Sequence, residues 1–423
     1  MKHYVIIGNG VAAVGCIEGI RSLDKNAKIT VISEENRAVY SRPLISYYLE
    51  DKTDLERINY RSPDFYDKMG CEVLYGKKAV RLYCNLKNDI DSDLVTNNQK
   101  KVVVSDGTVL DYTSVCVATG SVPFIPNIEG LDEVKDKFCF MTLDDAEALK
   151  SAVNSKSRVL IIGAGLIGLK CAEGLHNRVA SITVCDLADR VLSSVLEDDG
   201  AAIMKRHLET NGIKFMLSDT VMQFKKHTAI MKSGRQVEFD VLVLASGVRP
   251  NTGLIKDAGG EVNRGIIVND RMQTSLADVY AAGDCTEGND VSFGGRRVLA
   301  LLPNAYMQGF TAGVNMAGGN EVYDKAIAMN SVGFFGLHAM TAGVYNGEIY
   351  EEKDESSLKR LFVKDGYLVG FIIVGRVERA GIYTSLIRER TPLSEIGFDI
   401  LKKDATTAAF PSNVRRKMFE GVV

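Results

Sequence analysis

One short unit occurs twice in this chain, and no other feature limits its fold as tightly. Tyr4-Val5-Ile6-Ile7-Gly8-Asn9-Gly10 recurs as Val159-Leu160-Ile161-Ile162-Gly163-Ala164-Gly165. Each copy is a continuous apolar run of the kind buried on both faces of a parallel sheet, then a glycine turn, then a stretch of helical texture. A second apolar strand closed by an acid follows each one: Lys28-Ile29-Thr30-Val31-Ile32-Ser33-Glu34 and Ser181-Ile182-Thr183-Val184-Cys185-Asp186. The correspondence continues through a turn (Ser105-Asp106-Gly107; Ser233-Gly234-Arg235) into a strand ending in glycine (Val115 to Gly120; Val241 to Gly247). A lone G-x-G-x-x-G is weak evidence, because glycine turns also serve packing. Two of them, each with a strand before, a helix after and an acid at the next strand end, are a strong signature of dinucleotide binding. The offset falls from 155 at Gly8/Gly163 to 127 at Gly120/Gly247, so the first copy is 28 residues longer. The excess is expected in the polar stretch 85–101 and in the region 39–54.

The spacing carries a chemistry. In Gly8-Asn9-Gly10-Val11-Ala12-Ala13 the first glycine permits the tight turn and the second lets a pyrophosphate reach the backbone. The third position, Ala13, allows close packing of helix on strand. Free N–H groups and the dipole at the helix start supply an anion site. Glu34, 24 residues after Gly10, can accept from both hydroxyls of an adenosine ribose. Gly163-Ala164-Gly165-Leu166-Ile167-Gly168 is a full match, with Asp186 21 residues after Gly165. An acid there repels a 2′-phosphate, so the second site is expected to prefer NAD to NADP, with nearby Arg190 able to soften the preference. Two dinucleotide sites in one chain suggest hydride transfer from a nicotinamide to a flavin, which can then release electrons singly.

Composition removes competing readings. A net charge of −3 gives no electrostatic case for nucleic acid or an anionic membrane surface. No apolar stretch approaches the roughly 20 residues that span a bilayer. The chain enters its first strand directly after Met1-Lys2-His3 without the features of a secretory signal, so a cytoplasmic protein is expected. The closest two of the eight cysteines, Cys71 and Cys84, are 13 apart. That spacing disfavours a structural zinc, an iron–sulfur cluster held by this chain or a redox-active dithiol, and the five histidines show no ligand spacing. No metal is expected.

Beyond residue 323 the texture changes to strands and hairpins, with Asp365-Gly366 placed as a hairpin turn. The expected fold is α/β: two Rossmann-like dinucleotide-binding domains, the second inserted in the first, plus a C-terminal α+β domain. The expected boundaries are 1–120 and 246–322 for the two parts of the first dinucleotide-binding domain, 121–245 for the second and 323–423 for a C-terminal interface domain.

These residues resemble the FAD- and NAD(P)H-dependent pyridine nucleotide oxidoreductases. The nearest branch is that of NADH:rubredoxin reductases and the flavin portion of assimilatory nitrite reductases. The matching stretches are Gly8 to Ala13 with Glu34, Tyr40-Ser41-Arg42-Pro43-Leu44, Ala118-Thr119-Gly120, Gly163 to Gly168, Gly247-Val248-Arg249-Pro250-Asn251 and Tyr280-Ala281-Ala282-Gly283-Asp284. The resemblance implies FAD on the first fingerprint and NAD(H) on the second. Arg42 and Pro43 would lie along the FAD, Thr119 and Gly120 would close over it, and Asp284 would bond the ribityl chain. The helix after Pro303 would point its N-terminus at the isoalloxazine. Contacts are further implied for Val11, Ala12, Val80, Ala118, Ile167, Gly247, Gly283 and Asn304. Residue by residue, Arg42 as a surface charge and Asp284 as a helix N-cap are the alternatives.

Departures narrow the activity. Relatives with a disulfide or a reactive cysteine carry it near Tyr40 to Leu44, where this chain has none, so disulfide, CoA-disulfide and peroxide reduction are not expected. Lys170 stands where the family has a glutamate, and Tyr47 where many relatives have its lysine partner. Lys170 is therefore the candidate catalytic residue. Either it places a buried cation near nicotinamide and flavin, raising the flavin potential, or it lays its stem on the surface with its ammonium in water. Residues 356–423 carry 12 basic and 7 acidic side chains. They form either a face that steers an acidic acceptor or a solvated tail, and Phe410-Pro411 could pack on a partner subunit. The expected function is an FAD-dependent NADH oxidoreductase serving a rubredoxin, a ferredoxin or an iron–sulfur subunit. Two alternatives are the flavin subunit of a multi-subunit complex with a small-molecule substrate, and a redox-sensing flavoprotein with little turnover.

Overall fold

The computed structural model describes residues 2–84 and 100–419. The chain forms two compact units, one of residues 1–44, 54–122 and 248–326, the other of residues 45–53, 123–247 and 327–423. Each unit holds one copy of the repeat.

The first unit is built on a five-stranded parallel sheet in the spatial order Val279–Ala281, Ser114–Val117, His3–Ile7, Lys28–Ser33, Cys71–Tyr75. Tyr4 to Ile7 are buried because both faces of this sheet are covered, which is why the strand reads as an unbroken apolar run. The register pairs Ile7 with both Ile32 and Val117, and Val117 with Ala281. Four strands therefore end at one level, and the segments leaving them (Gly8–Gly10, Ser33–Glu34, Ala118–Gly120, Ala282–Asp284) collect along one sheet edge.

The helices Val11–Leu23 and Leu302–Met316 pack with backbone against backbone. A Cβ on Gly15 would lie 2.3 Å from the Tyr306 carbonyl oxygen, and one on Gly19 would lie 2.3 Å from that of Phe310. From the other side, a Cβ on Gly309 would sit 2.0 Å from the Ala12 oxygen and one on Gly313 2.1 Å from that of Cys16. Glycines spaced four apart on each helix cut two notches that face each other.

The second unit repeats the plan, with parallel strands in the order Ile213–Leu217, Ser181–Asp186, Arg158–Ile162, Val241–Leu244, Lys137–Phe138. Each copy carries a three-stranded antiparallel sheet before its last strand: Ala79–Tyr83, Lys101–Val104, Val109–Asp111 in one, Val221–Lys225, Thr228–Met231, Gln236–Glu238 in the other. The expected turns sit at Gly107 (φ +88°) and Gly234 (φ +83°). Two residues join the first two strands in the second copy, while in the first copy the connection runs from 84 to 100. Most of the expected insertion at 85–101 thus lies outside the described residues. In the other expected insertion a helix forms over Ile45–Leu49, and residues 45–53 belong to the second unit.

The second unit also holds a five-stranded antiparallel sheet, in the order Met329–Phe334, Leu337–Gly343, Tyr367–Val374, Leu358–Lys364, Glu348–Lys353. The Asp365-Gly366 hairpin turn forms with φ +52° and +79°, as a right-twisted two-residue turn requires. Among the described residues no helix is long and apolar enough to cross a membrane.

The glycine notches make a direct stability prediction. Gly309→Ala must push apart two backbones and is expected to cost about 2 kcal/mol or more. Gly381→Ala, whose Cβ would meet nothing within 4 Å, should fall within about 0.5 kcal/mol of the parent. Urea unfolding of the two variants side by side checks the difference.

Candidate functional site

The two glycine turns are alike down to single hydrogen bonds. Gly8 N–H donates to Ile32 O (2.9 Å) and Ala118 N–H to Ile7 O (2.7 Å); Gly163 N–H donates to Cys185 O and Ala245 N–H to Ile162 O, both at 2.8 Å. Gly8 (φ +110°) would place a Cβ 2.1 Å from Ala118 O, and Gly163 (φ +118°) one 2.2 Å from Ala245 O. Only glycine fits there, on space and on backbone conformation. The middle glycines behave oppositely: a Cβ on Gly10 or Gly165 would meet nothing within 4 Å. The space above each is open for a ligand to approach the backbone. The third position differs, since a Cβ on Gly168 would strike Gly163 O at 2.0 Å whereas Ala13 is buried in the first copy.

Neither helix start is capped by a side chain, and neither first turn holds an acid. Val14 N–H is the first to find a helical acceptor, Gly10 O (3.2 Å), and in the second copy Leu169 N–H finds Gly165 O (3.0 Å). The amides of Val11, Ala12 and Ala13, and of Leu166, Ile167 and Gly168, are therefore left to a ligand. Such an uncapped, positively polarised cradle fits a pyrophosphate. Ser246 Oγ, beside the Gly163 turn, is buried with no partner among the described residues, which also suits a polar ligand there.

The two acids are held differently. Glu34 is exposed and pairs with Lys78 at 3.1 Å. Asp186 is fixed by backbone: Oδ2 accepts from Ala164 N–H (2.7 Å) and Oδ1 from Ala188 N–H (2.8 Å). Each oxygen keeps a lone pair for a ribose hydroxyl. Arg190 is engaged elsewhere, with Asp189, Asp198 and the Leu196 carbonyl.

In the first unit the structure gathers the expected contacts at the sheet edge. A Cβ on Gly283 would lie 3.1 Å from Ala12 Cβ and 3.7 Å from Ala305 Cβ, so the Ala282–Asp284 turn is enclosed by two helix starts. Thr119 Oγ1 donates to Asn251 O (2.7 Å) and Asn251 N–H to Gly120 O (2.9 Å), which fixes the strand end at Gly120 (φ +63°). Gly247 takes the matching conformation in the second copy (φ +105°). Asn304, 6% exposed in the first turn of helix Leu302–Met316, accepts from Tyr323 OH (2.7 Å). Arg42, in the short helix Arg42–Leu44 with Pro43, pairs with Glu35 and takes part in a network with Tyr40 OH (3.2 Å). Burial works against the Arg42 charge, yet Tyr40, Glu35 and Asp284 outweigh it and hold its pKa above the usual value. Burial raises the Asp284 pKa, with Arg42 pulling it partly back. Asp284 accepts no hydrogen bond from any described residue, so a helix N-cap is not its role here. Val80 is exposed at an irregularity in the strand register between Ala79 and Arg81.

Lys170 does not leave its ammonium in water. Its Nζ pairs with Glu173 (2.6 Å), donates to Gly333 O (2.8 Å) and lies 5.2 Å from the centre of the Tyr47 ring. Glu173 is 9% exposed, and its other oxygen accepts from Phe335 N–H (2.6 Å). The cation is thus neutralised one helical turn away. Sequence reading missed Glu173, although an i, i+3 pair on a helix is a visible signal. It also missed the Glu35–Tyr40–Arg42 network and the paired glycine notches.

Two dinucleotide cradles on two Rossmann-like sheets define a nucleotide-dependent oxidoreductase. A model of the family "Pyridine nucleotide-disulphide oxidoreductase" matches residues 2–309. The chain is 31% identical over 407 residues to the epsilon subunit of NADH-dependent phenylglyoxylate dehydrogenase from Aromatoleum evansii, covering 93% of each. It is 31% identical over 403 residues to the assimilatory nitrate reductase electron transfer subunit of Bacillus subtilis, covering 92% of this chain but only 50% of that one. Putidaredoxin reductase, solved in covalent complex with putidaredoxin, shares the fold with a TM-score of 0.85 at 22% identity over 96% of this chain and 97% of that one. The chain belongs to the pyridine nucleotide-disulphide oxidoreductase family, and its cofactors are FAD and NAD(H). All eight cysteines are free thiols.

Two outcomes follow from this geometry. Lys170→Met leaves the Glu173 carboxylate nearly buried without its cation and is expected to cost about 2–3 kcal/mol. Adding Glu173→Gln should restore most of it in a double-mutant cycle of urea unfolding. Asp284 has a folded pKa above its unfolded value of about 3.9, so its contribution is fully present below that value and is lost as pH rises through the folded pKa. FAD-free Asp284→Asn should therefore melt higher than FAD-free parent protein near neutral pH. The gap should close as pH falls toward 4, as thermal scans across pH would read.

Proposed function

We propose that the chain oxidises NADH at the second fingerprint and delivers electrons, through FAD on the first, to a small rubredoxin- or ferredoxin-like protein or an iron–sulfur partner. The observation that carries this reading is the duplicated uncapped cradle, with an unpartnered Asp284 at the first. Bound FAD would supply the chemistry that links a two-electron hydride donor to a one-electron acceptor. The chain's own residues bind and orient. The amides of Val11 to Ala13 hold one pyrophosphate and those of Leu166 to Gly168 the other. Glu34 and Asp186 accept from the two adenosine riboses, and the Asp186 charge rejects a 2′-phosphate. Asp284 accepts from the ribityl chain, Thr119 and Gly120 cover it, and Arg42 and Pro43 line it, with backbone contacts at Val80 and Gly247. Asn304 belongs to a helix start that has no acid and no side-chain cap, which favours negative charge on whatever lies before it.

The cofactor domains are proposed as 1–120 with 246–322 for FAD and 121–245 for NAD, with 323–423 as an interface domain. A reducing cytoplasm suits eight free thiols. The name of the Bacillus relative, an electron transfer subunit, supports a protein acceptor. A second reading, the flavin subunit of a multi-subunit dehydrogenase, is favoured by the full-length match to an epsilon subunit.

Purified protein should carry FAD, and NADH should bleach its visible absorbance under anaerobic conditions; persistence of the colour sinks the reading. NADH should bleach it faster than NADPH, and Asp186→Ala should weaken NADH by about tenfold while narrowing that preference, read as KM for each nucleotide. An iron–sulfur chain co-purifying in stoichiometric amount would favour the second reading.

A further inference from the structure

We propose that Gln308 is the positioning residue of Asp284, directing the carboxyl toward FAD through the amide before it. The inference rests on the FAD assignment above and adds a residue that none of the expected contacts includes. Gln308 lies on helix Leu302–Met316, two turns from its start, and is 4% exposed. Its Oε1 accepts from the N–H of Gly283 (2.8 Å) and stands 3.1 Å from Thr286 Oγ1. Its Nε2 donates to no described residue, so these two oxygen contacts alone set the direction of the side-chain amide.

The turn it grips has little other freedom. Gly283 has φ +85° and Thr286 closes the turn, its N–H 2.9 Å and its Oγ1 2.8 Å from Gly283 O. Ala282 N–H donates to Val117 O (3.0 Å), and Cys285 Sγ reaches Val117 O and Ala282 O, each at 3.4 Å. The polar groups of Ala282, Gly283, Cys285 and Thr286 named here thus hold the turn, while the Asp284 carboxyl accepts a hydrogen bond from no described residue and has the Arg42 charge nearby. Gly283 N–H belongs to the Ala282–Gly283 peptide; by holding that peptide, Gln308 supports the positive φ of Gly283 through which the chain reaches residue 284. An amide buried there without an acceptor would carry a desolvation cost, and the peptide would rotate to relieve it.

The test measures FAD dissociation in four proteins: parent, Gln308→Met, Asp284→Ala and the double variant, with urea midpoints of the FAD-free forms as the control for folding. Gln308→Met keeps the volume and removes the acceptor, and is expected to weaken FAD about tenfold. In the Asp284→Ala background the same change should cost less than about threefold, because the acceptor it positions is gone. Gln308→Glu keeps an acceptor oxygen and should stay within about threefold of the parent, which covers the case of a Met variant that folds poorly. Multiplicative losses in the double variant, a Glu variant as weak as Met, or a Met variant as tight as the parent would each overturn the proposal while leaving the FAD assignment intact. A parent protein that holds no FAD overturns both.

Discussion

Everything placed at the first cradle depends on one contact in which backbone touches backbone. Helices Val11–Leu23 and Leu302–Met316 come from opposite ends of the first unit's sequence, and each presents two glycines to the other's carbonyl oxygens. A side chain at any of the four would hold the helices apart. Because one helix opens at Gly10 and the other carries Asn304 and Gln308, their separation fixes the distance between the pyrophosphate cradle and the turn at Asp284. Dispersion and close Cα–H···O approaches reward such contact, but its larger effect is geometric: it leaves the two helix starts no slack.

Duplication explains the plan of the molecule, and the departures between copies explain its division of labour. The same turn, strand pairing and crossover sheet recur, yet the acids at the strand ends are held in different ways. Asp186 is clamped by two amides, so its carboxylate is part of the second turn itself. Glu34 stands in water beside Lys78 and can move to meet a ligand. The first cradle accepts a methyl at Ala13, whereas the second is closed tightly enough to demand Gly168.

Much of this was legible in the sequence because it rests on period and spacing. The apolar runs, the glycine turns, the acids and the Asp365-Gly366 hairpin are local patterns whose physics is the same wherever they occur. What escaped were contacts made across long stretches of chain. Glu173 looked like an ordinary helical acid until the Gly333–Phe335 turn supplied the other half of its setting. Tyr323 on Asn304 and Gln308 on Gly283 are joined only by the fold. The glycine notches lay between these cases: Gly15 with Gly19 and Gly309 with Gly313 have a readable spacing, but which helix faces which is decided by topology. Of the chain's 39 glycines the two fingerprint turns take only a few, and these notches take four more.

The nine residues 45–53 leave one unit to join the other and return. With the passages at 122, 247 and 326, the chain crosses between units five times, so neither unit corresponds to any single stretch of gene. No one cut frees an intact half, and no truncation removes one unit without also removing part of the other. Such interlacing resists the modular shuffling by which one unit could be exchanged without the other. The two units are bound to be inherited together, and whatever one of them gains or loses is carried on a chain that the other also needs.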